Sequence, residues 1–321
     1  MMAGDNKANT LEATSVAGPR KDPGGGPGYQ GLGNSPKQHL AAARSANLRR
    51  EKIAVSFLRL TALVTGAVVV FVFGYILVRG LGVINPSFLL SPPLEMGRAG
   101  GIFPAIVGTL VLTALSLLIA TPLGVGAAVF LTEYTKETRL SRFIRTGTET
   151  LAGIPSIIFG LFGFAFFVTY LKMGWSILAG ALTLACMMLP TIVRTSEEAI
   201  RAVPAAYREV SFALGASRWQ TVVSVVLPQA AQGIATGIVL ATGRAIGETA
   251  AVIFTAGSSL RLPKSLMDPV RTLPVHFYIL AREGISPENA YGTAAVLLVA
   301  VLLINFTAHY AVKKMFGKGN G

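Results

Sequence analysis

Residues 102–131 read IFPAIVGTLVLTALSLLIATPLGVGAAVFL, a stretch that contains no Asp, Glu, Lys or Arg. A helix of about 20 apolar residues crosses the hydrocarbon core of a bilayer, so this stretch is long enough to span a membrane. Five further stretches have the same character, and they cover residues 54–78, 151–171, 175–194, 228–256 and 290–312. A bilayer offers no water to backbone polar groups, and the period-two alternation of a β-barrel is absent. The sequence therefore predicts an all-α, polytopic transmembrane helical bundle with six spans.

The composition excludes an ordinary soluble domain. Of the 321 residues, 52% are apolar and 13% are charged, whereas soluble domains carry about 25% charged residues. The single cysteine, Cys186, excludes an internal disulfide, and His39, His276 and His309 are too far apart in sequence to suggest a metal site. The phosphate-binding pattern G-x-x-x-x-G-K-[ST] does not occur, so we expect no ATP hydrolysis by this chain itself.

The net charge of +13 predicts the orientation of the spans and not a nucleic-acid partner. If the N-terminus is cytosolic, 20 of the 28 Lys and Arg residues lie inside, 7 lie outside and Arg244 lies within a span. Cytoplasmic loops carry an excess of Lys and Arg, so we expect both termini in the cytosol. The loop 257–289 is basic although this assignment places it outside, which marks it as unusual.

The first 52 residues differ in composition from the rest. The run KDPGGGPG at 21–28 cannot bury enough apolar surface to offset the chain entropy. We therefore predict a disordered cytosolic tail over 1–52, a six-span domain over 53–316 with a cytosolic loop at about 198–227, and a short cytosolic tail over 317–321.

The loop between the fourth and fifth spans carries the most specific motif. It reads EVSFALG at 209–215 and, after nine further residues, VVLP at 225–228. Val210, Ala213 and Leu214 recur at i, i+3 and i+4, which predicts a short surface helix with one apolar face. Gly215 is suited to end that helix in a left-handed conformation, and Pro228 to begin the next span. By periodicity alone, such a helix more commonly lies on lipid headgroups.

This pattern resembles the coupling-loop signature of the membrane subunits of ABC importers: E-A-A, three residues, G, nine residues, I-x-L-P. The chain departs from it only in having Val and Ser where two alanines are usual. The resemblance implies that the loop at 198–227 contacts an ATPase subunit. The residues expected to serve that coupling are Glu209, Ser211, Ala213, Leu214, Gly215, Leu227 and Pro228.

Further motifs are similar to the permease subunits of the bacterial Pst-type high-affinity phosphate importer, and they extend the resemblance to about residues 60–314. They are AIVGTL at 105–110, LTEY at 131–134, GIPSI at 153–157, RTSEE at 194–198 and GRAIGETA at 243–250. Within that family the chain is most similar to the A subunit. The resemblance implies a MetI-like type I importer fold.

The resemblance also implies an assembly in the bacterial inner membrane. The expected partners are a paralogous permease similar to the C subunit, two copies of an ATP-binding subunit, an extracytoplasmic phosphate-binding protein, phosphate and membrane lipid. The ATP-binding subunits would use ATP and Mg²⁺, so that this chain would be a translocation subunit without a catalytic site or a cofactor of its own.

Two pairs of charged residues are candidates for the substrate pathway. Arg244 and Glu248 lie four residues apart in the fifth predicted span, which predicts one shared helical face. A charge inside a span must find a partner, so this pair either joins helices or handles the anion, and the resemblance favours the second role. Arg194 and Glu197 repeat the pattern at the inner end of span four. There the positive-inside rule explains the arginine as well as an exit gate does, and Glu198 is an alternative partner.

Other features leave alternatives open. The Gly-x-x-x-Gly pairs at 233/237 and 243/247 predict close helix packing, with exposed backbone for phosphate as a second interpretation. The interior arginines fit any small oxyanion, so a permease for sulfate or molybdate differs only in the extended motifs. A membrane enzyme acting on phospholipids would need clustered His, Asp or Glu at one membrane face, which the spans lack. A passive channel would not need the coupling loop.

Overall fold

The structure is a computed structural model that describes residues 36–135 and 138–316. In this part of the chain twelve α-helices form, with three π-helical turns and one two-stranded hairpin. The helices are α1 (Pro36–Leu81), α2 (Pro86–Leu90), α3 (Phe103–Val129), α4 (Arg139–Ala152), α5 (Ser156–Gly163), α6 (Ile177–Arg201), α7 (Ala205–Ala213), α8 (Arg218–Thr221), α9 (Leu227–Ile246), α10 (Ala250–Thr255), α11 (Leu273–Arg282) and α12 (Pro287–Phe316).

The π-helical turns follow or join these helices. They cover Phe130–Tyr134 after α3, Phe164–Tyr170 after α5 and Val222–Val226 between α8 and α9. The hairpin consists of β1 (Pro93–Leu94) and β2 (Ala99–Gly100), which are antiparallel, with Pro93 opposite Gly100.

The helical runs confirm the prediction of a multi-pass membrane protein. Five are long and apolar enough to cross a bilayer, namely Ala54–Leu81, Phe103–Tyr134, Ile177–Arg201, Arg218–Ile246 and Pro287–Lys314. A sixth candidate is the pair Arg139–Ala152 and Ser156–Tyr170. The helix direction changes by 105° between its two parts.

The third predicted span differs from the structure. We expected a straight helix over 151–171, but α4 precedes a bend and the second part starts only at Ser156. The cause is Pro155, which lacks an N–H and disfavours helical geometry at the residue before it. The short turn between this span and the next is present, since Lys172 and Gly174 both have positive φ.

The fifth predicted span is both longer and broken. Its helical run begins at Arg218, because the π-helical turn accommodates the missing N–H of Pro228 within a continuous helix. The run ends at Ile246, and residues 247–249 separate it from α10. Gly247 is the C-terminal cap, consistent with the poor helix propensity of glycine.

The predicted tail is only partly covered by the structure. Residues 36–52, which we assigned to a disordered segment, belong to α1. Their sequence, PKQHLAAARSANLRREK, is rich in Ala, Leu, Lys and Arg, which favour helix. Residues 1–35 and 317–321 lie outside the described residues.

The described residues fall into two compact units, which are divided between Ala67 and Val68. In the first unit the described side chains of α1 include exposed apolar residues such as Phe57 and Leu63. In the second unit α6 packs against both α3 and α9. The core between them contains Leu112, Leu184 and Ile192, all of which are buried.

Glycines allow α9 to approach α6 closely. A Cβ on Gly233 would lie 2.6 Å from Cβ of Ala199, and a Cβ on Gly237 would overlap the side chain of Thr195. The first Gly-x-x-x-Gly pair therefore serves helix packing, as predicted. In the second pair, a Cβ on Gly243 would have ordinary contact with Asn305, and Gly247 lies at the helix break.

We expect Gly237→Ala to destabilise the protein, because the added methyl group forces α6 and α9 apart. Overpacking of this kind costs about 1–3 kcal/mol. Gly126→Ala is the matched control, since no atom lies within 4 Å of a Cβ at that helical position. Thermal unfolding in detergent should show a lower midpoint for Gly237→Ala and an unchanged or higher one for Gly126→Ala. Equal midpoints for both variants would contradict the close packing.

Candidate coupling surface and anion pathway

The motif between the fourth and fifth predicted spans folds into two short helices joined by a tight turn. Helix α7 ends at Ala213, and Gly215 adopts φ +84°, the left-handed conformation predicted for it. Ser217 then caps α8: its hydroxyl accepts from the Gln220 N–H, and the Gln220 side chain accepts from the Ser217 N–H. These local rules fix the direction in which the chain leaves α7.

One side of α7 is attached to the protein. Ser211 is buried, and its hydroxyl lies 2.9 Å from the hydroxyl of Thr221 in α8. This contact explains why a small polar residue stands at position 211. The alanine that is usual there in the resembling signature would leave Thr221 without this partner.

Next to these contacts, part of the α7 surface is apolar and uncovered in this chain. Tyr207, Val210 and Leu214 are exposed, and Leu214 retains 83% of its accessible surface. We call these three residues the coupling surface. Ala213 and Glu209 are exposed beside them. An apolar patch of this kind on a short helix fits a groove in a partner protein.

An arginine that the sequence did not single out holds α7 in place. Arg208 and Glu133 form an ion pair with an Nη2–Oε1 distance of 2.7 Å. Glu133 belongs to the LTEY motif, in the π-helical turn after α3. The LTEY motif is recognisable in the sequence. Nothing in the sequence indicates that Arg208 is the partner of Glu133, because 75 residues separate these two residues.

The charged pair near the C-terminal end of α6 differs from the predicted one. Arg194 pairs with Glu198, with an Nε–Oε1 distance of 3.2 Å, and both side chains are exposed. Glu197 instead accepts from Nε of Arg145 in α4 at 3.3 Å. The expected Arg194–Glu197 pair is therefore replaced, because α4 packs against α6 and supplies Glu197 with another partner.

Arg145 also donates from Nη2 to the Leu131 carbonyl at 3.2 Å. It thereby connects α4 to the π-helical turn after α3. A small cavity beside this site is lined by both arginines, Arg145 and Arg194, together with Thr148, Glu149 and Glu197. Helix α4 and the C-terminal ends of α3 and α6 thus share one set of charged contacts.

Arg244 and Glu248 do not share a helical face as predicted, because α9 ends at Ile246. The Glu248 carboxylate accepts from the N–H of Ala251 at 3.2 Å and so caps α10. Arg244 is exposed, and among the ion pairs of the described residues none includes it.

The basic loop at 257–289 contains a buried arginine. Arg271 is 4% exposed and donates from Nε to the Ser258 carbonyl at 2.9 Å. Nη1 of Arg271 lies 3.4 Å from Nδ1 of His276, which is 1% exposed. Burial, and in second place the charge of Arg271, lowers the pKa of His276 to about 4. Burial also lowers the pKa of Arg271, which Glu283 partly counteracts.

These features together define a class: a multi-pass helical membrane protein with a short helix, α7, that exposes apolar residues between two of its spans. The chain belongs to the family described as binding-protein-dependent transport system inner membrane component, whose model matches residues 120–315.

Relatives within this class are similar over most of their length. The probable ABC transporter permease protein YqgI of Bacillus subtilis (strain 168) is 36% identical over 284 residues, which cover 84% of this chain and 97% of that protein. The phosphate transport system permease protein PstA 1 of Mycobacterium tuberculosis (strain ATCC 25618 / H37Rv) is 39% identical, covering 65% of this chain and 69% of that protein. The protein PstA of Xylella fastidiosa (strain 9a5c) is 33% identical, with 71% and 79% covered.

Solved structures of transporters share the fold. A bacterial ABC transporter involved in the import of alginate matches with a TM-score of 0.60 at 16% identity, covering 85% of this chain and 99% of that chain. The MetNI methionine ABC transporter in an inward-facing conformation matches with a TM-score of 0.56 at 20% identity, covering 65% and 94%. The predicted MetI-like fold is thereby confirmed.

We expect the stability of the protein to fall as the pH drops from 6.5 to 4. Unfolded histidine ionises near pH 6.5, while the pKa of His276 in the folded protein is about 4. Its stabilising contribution is therefore complete above pH 6.5 and is lost as protons bind preferentially to the unfolded chain. The difference corresponds to about 3 kcal/mol.

Thermal unfolding at pH 7.5 and 4.5 measures this dependence. His276→Gln should lose less stability over that range than the wild type. His309→Gln is the control, because His309 is exposed, and it should behave as the wild type does. The same loss in the wild type and in His276→Gln would show that the ring is not held neutral by burial.

Proposed function

We propose that this chain is the A-type permease subunit of an ATP-driven phosphate importer. The observation that carries the proposal is the coupling surface: Tyr207, Val210 and Leu214 are exposed on or directly after α7, while Ser211 and Arg208 attach this helix to neighbouring elements. An exposed apolar patch marks a site where another protein binds, and we propose that the subunit that hydrolyses ATP binds here. The relatives named as phosphate transport permeases support phosphate as the solute.

In this proposal the chain has no catalytic site and binds no cofactor. Two copies of an ATP-binding subunit hydrolyse ATP with Mg²⁺, and one of them receives α7 in a groove. A paralogous permease completes the pathway, and an extracytoplasmic binding protein delivers phosphate. The chain lies in the bacterial inner membrane in contact with lipid, with both termini in the cytosol, as the distribution of Lys and Arg indicates.

Arg244 is the residue that we propose contacts phosphate. Its guanidinium is exposed in the single chain, so it is available to a pathway shared with the second permease. The helix break at 247–249 lies next to it. A guanidinium matches the oxygens of a phosphate in a bidentate geometry, and an exposed group also permits release, which conduction requires.

Arg194, Glu197 and Glu198 are proposed to act at the inner end of this pathway. The exposed Arg194–Glu198 pair contributes little to stability, so it can open at small cost. The Arg145–Glu197 pair is more shielded and holds α4 against α6. We propose that the first pair opens during release while the second stays closed.

Phosphate uptake in cells that lack their own phosphate permeases tests the proposal. Co-expression with the partner subunits should restore uptake of labelled phosphate but not of sulfate. Arg244→Gln should lower uptake about tenfold or more, because a hydrogen bond to a charged group is lost, while the amount of assembled complex stays within about twofold. Restored sulfate uptake, or loss of the assembled complex in Arg244→Gln, would contradict the assigned substrate or the assigned role.

A charge on the coupling surface should prevent docking of the ATP-binding subunit. We expect Leu214→Glu to abolish co-purification of that subunit, because burying an unpaired carboxylate in a groove is costly. Ala202→Glu adds the same charge at an exposed position after α6 and should leave co-purification unchanged. Membrane insertion should be the same for both variants. Normal co-purification of Leu214→Glu would show that α7 does not enter a partner.

A further inference from the structure

One arginine connects three elements at the base of α7. The Arg208 guanidinium donates from Nη2 and Nε to Oε1 of Glu133 at 2.7 and 3.1 Å, and from Nε to Oε2 at 3.3 Å. It also donates from Nη1 to the Val203 carbonyl at 2.7 Å and from Nη2 to the Ile200 carbonyl at 2.9 Å. We call Arg208, Glu133 and these two carbonyls the Arg208 clamp.

The clamp is shielded from solvent. The side chain of Arg208 is 20% exposed and that of Glu133 is 11% exposed. Charge-assisted hydrogen bonds to a guanidinium fork are stronger than neutral ones, and shielding reduces screening by salt. The carbonyls come from the C-terminal end of α6 and the loop after it, where helix carbonyls lack intrahelical donors. The clamp therefore joins α3, α6 and α7 through one side chain.

The other polar contacts of this region lie on the same side. Ser211 contacts Thr221 in α8, and the guanidinium of Arg218 lies 5.9 Å from the ring centre of Tyr134, the residue after Glu133. The exposed side chains of the coupling surface make no such polar contact among the described residues. A force applied to that surface is therefore transmitted to the spans through Arg208, Ser211 and Arg218.

We propose that the Arg208 clamp makes α7 and the inner ends of α3 and α6 move as one rigid body during transport. Arg208 is then a positioning residue: it transmits motion but contacts neither the ATP-binding subunit nor the transported anion. This inference rests on the proposed function, in which a partner moves α7. Packed elements connected by a hydrogen-bond network provide the physical route for such coupling.

The geometry distinguishes a clamp from a simple ion pair. Lysine would keep the charge but would lose the planar fork that reaches a carboxylate and two carbonyls together. The exchange Arg208→Glu with Glu133→Arg would restore an ion pair, yet it would place a carboxylate against the carbonyls of Ile200 and Val203. If Arg208 acts as a clamp, the variant with the exchanged pair should not take up phosphate. The uptake by Arg208→Lys should lie between that of the wild type and that of Arg208→Gln.

A distance measurement tests the rigid body without reference to the solute. Spin labels are placed at Leu123→Cys in α3 and Ala205→Cys in α7, both exposed, in a Cys186→Ser background within the assembled complex. The distance distribution should stay narrow and unchanged between the nucleotide-free and the vanadate-trapped ATP states. In Arg208→Gln it should broaden or shift with the nucleotide. A shift of about 5 Å, one helical turn, in the complex with Arg208 intact would overturn the proposal.

Transport assays on the same complex test the consequence. Arg208→Gln should retain the ATP-binding subunits and basal hydrolysis within about twofold. Phosphate uptake and its stimulation of hydrolysis by the binding protein should both fall about tenfold, which corresponds to the loss of one charge-assisted contact. Arg201→Gln is the control, because it removes an exposed cation at the end of α6, and it should resemble the wild type.

The outcomes separate this proposal from the proposed function. Normal uptake by Arg208→Gln, loss of the ATP-binding subunits from it, or full rescue by the exchanged pair would each overturn the clamp. Should the wild-type complex take up no phosphate while the distance between the labels stays fixed in both nucleotide states, the proposed function fails and the clamp stands.

Discussion

A bilayer interior supplies no hydrogen bonds to a polypeptide backbone, and the architecture follows from this constraint. Where the long helices break, the chain must satisfy its own polar groups. At the bend before α5, the N–H groups of Gly153 and Ile154 bond to carbonyls of α4, and that of Ile158 bonds to the Pro155 carbonyl. At the break after α9, the Glu248 N–H bonds to the Ala245 carbonyl, while its carboxylate receives the Ala251 N–H. Both breaks are therefore stable structural features of the bundle.

The positions of charged residues in the described part of the chain also depend on access to water. The three ion pairs found there join Arg145 to Glu197, Arg194 to Glu198 and Arg208 to Glu133, and they lie around the C-terminal ends of α3 and α6. Water is accessible at helix ends, so arginines and carboxylates can be placed there at small cost and still bind neighbouring elements. Arg244 lies two residues before the end of α9, and no ion pair of the described residues includes it. It is exposed next to the helix break at 247–249.

Local rules in the sequence account for much of this structure. Hydrophobic length identified the spans, and turn chemistry identified the left-handed Gly215. The spacing of glycines identified the contact of Gly237 with α6. Contacts between residues on different helices could not be predicted from these local rules. Glu197 and Glu198 are both within reach of Arg194 along one helix, and only the approach of Arg145 from α4 decides between them. Helix breaks were missed for a related reason, because the hydrogen bonds that stabilise residues 247–249 become visible only in the folded chain.

A short helix that receives force from a partner needs two unlike faces. Nine residues of isolated helix, the length of α7, are not stable in water, because nucleation is costly. Attachment must therefore come from the rest of the protein, and it is provided by polar contacts of Arg208 and Ser211. Polar contacts are directional, so they fix the orientation of α7 more strictly than an apolar contact of similar strength would. The apolar side remains free for a partner, whose binding is less directional and tolerates motion. This division lets the partner dissociate or rotate while α7 keeps its orientation on the spans.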